Sequence, residues 1–225
     1  MAFFVYDDIT STNRNYEKRF LLQISSKSAP IIDQKEQTVI TDNSTDNASA
    51  RLVLKCFSDD VVLNGVGGRN KGGFDASKSS NYLIQGKQLV PQSTSADDGH
   101  WGRVEIVCEK SNATATFMNL IYVTDKGNDD MAHMRDTSSD NGLTGAIFER
   151  KIVALFATSR SRATTVLSCS TTGGDDMDYY VSGLAEGSWK VEVDGKTIGT
   201  FDATAEGGLL VFKAPAGDVT ISPVK

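Results

Sequence analysis

Histidine is almost missing from this chain: His100 and His133 are the only two in 225 residues. Imidazole is the side chain whose ordinary pKa lies closest to neutrality, so general acid–base chemistry has few places to reside. Both histidines stand in polar, loop-like sequence. His133 has Asp129, Asp130 and Asp136 nearby, but one histidine among aspartates lacks the ligand spacing that zinc sites use. Cysteine is also scarce. Cys56, Cys108 and Cys169 form no pair with metal-ligand spacing, and an odd count cannot close a complete disulfide framework. They are expected to be buried thiols acting as small apolar groups; one disulfide with one thiol left over is the alternative.

Other absences narrow the function further. No apolar run is long enough to span a bilayer, so no membrane insertion is expected. Residues 1–8 (MAFFVYDD) have neither a basic start nor a long apolar stretch and do not read as a signal peptide; an interior piece of a longer enzyme or a cytoplasmic protein would each begin this way. The net charge of -6 is spread along the chain, which argues against a nucleic-acid partner. Lys18-Arg19, Arg69–Lys71 and Arg160–Arg162 are the small cationic spots that remain. The glycine-rich stretch 65–73 lacks the Gly-Lys-Ser/Thr ending of a phosphate loop. Residues 125–130 lack the glycine and glutamate positions of an EF-hand. There is no nucleophile elbow. No segment sustains a helical period for three turns, and no internal repeat suggests a propeller or solenoid.

What the chain does have is alternation. Segments such as Trp101–Cys108, Ala113–Thr124 and Trp189–Val193 place β-branched, aromatic and aliphatic residues at every second position, as half-buried antiparallel strands do. Trp101–Cys108 and Ala113–Thr124 are the strongest of the front half and are expected at the centre of a sheet. Asp194-Gly195 is the sharpest turn signal, because a two-residue hairpin loop needs positive φ at both positions. Polar, glycine-rich connections run from Gly65 to Ser80 and from Asp125 to Gly142. Some fifteen short strands with long polar loops predict an all-β fold: an antiparallel two-sheet β-sandwich with a smaller C-terminal β-domain or appended sheet. The expected division is residues 1–140 for the sandwich and 141–225 for the C-terminal β-domain.

Among the aromatic residues, Tyr82 and Trp101 are candidates for stacking against sugar rings, with His100 and Arg103 beside Trp101 as polar partners for hydroxyls. The competing reading makes such aromatics core or sheet-face fillers, and His100 an ordinary surface residue.

Four stretches carry a resemblance. Asp178 to Thr200 (DYYVSGLAEGSWKVEVDGKTIGT) followed by Gly207 to Gly217 (GGLLVFKAPAG) is similar to the C-terminal hairpin and glycine-rich strand of heparinase II/III-like polysaccharide lyases. Tyr16 to Gln23 (YEKRFLLQ), Gly102 to Ile106 (GRVEI) and Leu120 to Asp125 (LIYVTD) resemble strands of the sandwich domain in the same family, in the same order. The resemblance implies the later sandwich strands and the C-terminal domain of an enzyme that cleaves uronic-acid polysaccharides by β-elimination. In that family most catalytic residues come from a helical toroid, which has no counterpart here and would be an upstream partner domain. Gln23 stands where the family strand often ends in histidine. Neither His100 nor His133 falls in a matching motif, so no catalytic residue, metal ligand or cofactor is carried over. The resemblance therefore implies a non-catalytic part flanking the glycan cleft, inactive alone, secreted or periplasmic, with a uronic-acid-containing polysaccharide as partner. An autonomous carbohydrate-binding or adhesion module is the alternative.

Overall fold

A computed structural model describes residues 1–24, 26, 28–44, 49–67, 83–84, 87–88, 101–109, 111–126, 134–136 and 138–224. Tyr82, His100, His133 and most of the polar stretch after Gly67 lie outside these. The chain divides into two compact units, Met1–Asp129 and Asp130–Lys225. Among the described residues all regular structure is strand, and the fold is all-β.

In the first unit, β1 (Ala2–Thr10), β3 (Ile31–Asp33), β4 (Thr38–Ser44), β5 (Ser49–Cys56) and β10 (Thr114–Asp125) form one antiparallel sheet in the order β1-β10-β5-β4-β3. A second sheet has the order β2-β9-β6, from β2 (Arg19–Ile24), β6 (Val61–Gly67) and β9 (Gly102–Cys108). β7 (Leu83–Ile84) and β8 (Lys87–Gln88) pair with each other. The two strands expected to be central, β9 and β10, each have a neighbour on both sides. Alternation explains the packing. Val104 and Ile106 of β9 turn inward with Leu63 and Ile24 to meet Val39, Leu54 and Phe117 of the facing sheet, all at most 2% exposed. β1 and β2 follow one another but do not pair. β1 lies on β10 and β2 on β9, so the connection between them crosses from sheet to sheet.

The second unit repeats the two-layer plan. One sheet runs β11 (Met134–Asp136), β13 (Leu143–Phe148), β14 (Ile152–Ala157), β16 (Met177–Ser182), β19 (Leu210–Ala214). The other runs β12 (Ser138–Asn141), β15 (Leu167–Ser170), β20 (Asp218–Pro223), β17 (Gly187–Val193), β18 (Lys196–Ala203). Trp189, Val191, Val193, Val219 and Ile221 from one layer meet Leu155, Met177, Tyr179, Val181 and Leu210 from the other in a single core. Trp189 fills it and donates its indole N–H to the Ala185 carbonyl at 3.0 Å. Asp194 and Gly195 take φ of 50° and 73°, the positive pair that the hairpin between β17 and β18 requires. One pairing departs from the antiparallel rule: β14 and β16 run parallel, because the chain leaves for β15 in the facing layer and returns in the same direction.

Candidate functional site

The outer face of the β2-β9-β6 sheet carries a cluster of charge held out of water. With Val104 and Ile106 inward, Arg103 and Glu105 must point outward, and each is nevertheless buried, at 3% and 4% exposure. The register sets Gln23 and Val66 opposite Arg103, and Leu21 and Asn64 opposite Glu105, on the same face. Glu105 is the hub. Its Oε1 accepts from Arg103 Nε at 2.6 Å and Nη2 at 2.5 Å, while Oε2 accepts from Arg19 Nη1 at 2.6 Å. Arg19 also donates its Nε to Glu17. The guanidinium beside Glu17 holds that carboxyl below the usual carboxylate range, and the same hydrogen bond raises Arg19.

A buried carboxylate between two guanidiniums loses hydration that only its partners restore, so removing either side costs far more than an exposed pair would. Lys18, next in sequence to Arg19, is spent differently. It is buried and donates to the carbonyls of Arg14 (3.3 Å) and Asn112.

Of the four residues expected to hold a sugar, two are described, and they lie on opposite sides of the sheet. Arg103 belongs to the outer network. Trp101 turns to the inner side, half-buried, where a Cβ on Gly65 would stand 3.0 Å from its ring and 3.2 Å from Ile32. The indole thus fills the space that glycine leaves at the rim of the core, and its backbone N–H donates to the Ser26 carbonyl at 2.7 Å. Tyr82 and His100 fall outside the described residues. Sequence reasoning passed over Arg19, Glu105 and Glu17 as a unit. The available signal was two opposite charges at alternate positions of a strand expected to be central, where solvent alone could not stabilise them.

Burial pushes two tyrosines and one cysteine further from neutrality. Burial raises the Tyr179 phenol, whose hydroxyl donates to the Pro215 carbonyl at 2.9 Å and lies 2.8 Å from Thr171 Oγ1. Burial and nearby Asp8 raise Tyr6. The Cys56 thiol is pushed up by burial and stays protonated. Cys56 and Cys169 are buried and Cys108 is partly exposed, and none of the three is in a disulfide. Among the described residues no three His, Cys, Asp or Glu side chains converge as metal ligands do.

Comparison with known families places the second unit. The heparinase II C-terminal domain family matches residues 137–223. That stretch is a heparinase II/III-like C-terminal domain. No curated protein matches the chain. The match takes in β12 to β20 and the whole two-layer core of this heparinase-like domain, including the Trp189 strand and the Asp194-Gly195 hairpin.

Proposed function

We propose that this chain is the later sandwich strands and C-terminal domain of a secreted or periplasmic polysaccharide lyase, flanking the cleft in which a uronic-acid glycan is cleaved by β-elimination. In this reading the acid–base residues come from another part of the protein. The family match over residues 137–223 carries the proposal, and the resemblance of Tyr16–Gln23, Gly102–Ile106 and Leu120–Asp125 to sandwich strands extends it to the first unit. The chemistry agrees. Arg19, Arg103 and Glu105 are engaged with one another, and the Tyr6 and Tyr179 phenols are biased toward their neutral forms at neutral pH. β-Elimination leaves an unsaturated uronate that absorbs in the ultraviolet. Incubated alone with uronate polysaccharides, the chain is expected to produce no such absorbance; a robust signal would refute the non-catalytic role.

A second reading, an autonomous carbohydrate-binding module, draws on Tyr180 and Val211. They pair across β16 and β19 on the outer face of their sheet and are 42% and 47% exposed. Retention of the chain in glycan-containing native gels, lost in Tyr180→Ala, is the result that favours this module over a passive flanking domain.

A further inference from the structure

The two layers of the first unit differ in width: five strands, β1-β10-β5-β4-β3, face three, β2-β9-β6. Register fixes which strands lie over which. Ile32, Val39, Leu54, Ile121 and Phe3 stand in one row across the wide sheet, and Gly65, Val104 and Leu22 in one row across the narrow one. A Cβ on Gly65 would come within 3.2 Å of Ile32, and the Phe20 ring centroid lies 6.5 Å from that of Phe117, so β6 sits over β3 and β2 over β10. Among the described strands none lies opposite the Phe3 end of β1. Phe3 is on the core side of its sheet and is nevertheless 51% exposed.

The edge of β2 beside this shelf is open. Cys108 N–H donates to the Lys18 carbonyl at 3.1 Å and Trp101 N–H to that of Ser26 at 2.7 Å, so the even-numbered residues of β2 bond to β9. The N–H and C=O groups of Arg19, Leu21 and Gln23 point the other way, and no described strand pairs with them. The Leu21 side chain, on the outer face, is 47% exposed. We propose that β2 is the docking edge for one further β-strand, supplied by the part of the protein outside residues 1–225, which pairs with Arg19–Gln23 and lies over Phe3. This rests on the lyase reading above, in which the chain is joined to further protein, and names where that protein docks.

The edge itself selects a polypeptide strand. Donors and acceptors repeating at strand spacing are matched by another backbone. A strand there sets alternate side chains inward over Phe3 and Val5 and outward beside Leu21, so it covers exposed apolar surface with both of its faces. The shelf also continues the core, because Phe20, Leu22, Ile9 and Ile121 pack against the buried cluster while only partly buried themselves. From Arg19 to Gln23 the edge runs about 14 Å, enough for a strand of ordinary length. A second copy of the chain does not fit. Pairing β2 with its own counterpart would bring the other molecule's β10, which lies under its β2, into the space that β1 occupies.

The test is residue-resolved hydrogen exchange on the full-length protein and on the 225-residue chain. In the chain the Phe20 and Leu22 amides, bonded to β9, should be protected, and those of Leu21 and Gln23 should exchange freely. In the full-length protein the Leu21 and Gln23 amides should slow by about a hundredfold or more. Free exchange of Leu21 and Gln23 there overturns the proposal whether or not the chain folds alone. Phe3→Ser should lower the thermal midpoint of the full-length protein by about 5 °C more than that of the chain; equal shifts would place Phe3 outside the interface and overturn it. Protection of Leu21 and Gln23 already present in the monomeric chain, or gained only when the chain dimerises, would also overturn it. Free exchange in a full-length protein that releases unsaturated uronate refutes the docking edge and leaves the lyase reading standing. Slowed exchange in one that releases none refutes the lyase reading and leaves the edge.

Discussion

Gln34 holds Leu63 by both of its backbone groups: the amide Nε2 donates to the Leu63 carbonyl, and the Leu63 N–H donates to Oε1 at 3.1 Å. Gln34 belongs to the turn between β3 and β4, while Leu63 lies on β6, the end strand of the opposite sheet among those described. The side chain therefore imitates a ladder partner on a sheet edge and ties the two layers together. Gln34→Ala leaves a half-buried strand edge with an unpaired donor and acceptor. It should lower the unfolding free energy by about 1–3 kcal/mol. Urea unfolding followed by intrinsic fluorescence measures this, and a change within experimental error would show that solvent replaces the amide fully.

Gly145 admits no side chain. A Cβ there would stand 1.9 Å from the Ala154 carbonyl oxygen in the neighbouring strand β14, a backbone atom that cannot swing aside. Gly145→Ala should destabilise the C-terminal domain by about 3 kcal/mol or more. The readout is the thermal midpoint of residues 130–225 within the intact chain, through protease protection of that region. Wild-type protection would contradict the packing.

Tyr179 should make the C-terminal domain sensitive to alkali. Desolvation raises its phenol above the ordinary value of 10.0. The unfolded chain therefore ionises first, so this contribution is fully present below the unfolded pKa and is lost as pH rises through the folded one. Wild type should lose stability above about pH 10, and Tyr179→Phe should lose less. The same substitution removes the bonds to Pro215 and Thr171, at about 1–2 kcal/mol near neutrality. Parallel stability–pH curves for the two proteins would disprove the assignment.

Asn119 is fully buried on the inner face of β10, in register with Val5 and Cys56, and neither atom of its amide makes a hydrogen bond within the protein. A polar group without a protein partner costs more buried than an apolar one of similar size. Asn119→Leu is therefore expected to raise the unfolding free energy, by about 1 kcal/mol. A lowered denaturation midpoint would mean that the amide has a role the packing does not explain.

The network around Glu105 shows where reading the sequence stopped. Arg103 and Glu105 stand out as charges within an apolar alternation, but Arg19 lies more than 80 positions upstream and its own segment says nothing of a partner. Trp101 illustrates the converse. Its sequence context suits a sugar platform, while the glycine it packs on, Gly65, becomes its neighbour only through the pairing of β6 with β9.

Residues alone determined that the chain is built of strands, which side of a cleanly alternating strand such as β17 faces a core, and where the Asp194-Gly195 hairpin turns, because period-two alternation and positive φ are properties of a few consecutive residues. The tertiary structure alone decided that β1 pairs with β10 rather than β2, that β14 and β16 run parallel, and that Arg19 meets Glu105. Alternation is the same for every strand, so the choice of partner rests on how whole faces fit together and on the entropy of closing the loops between them.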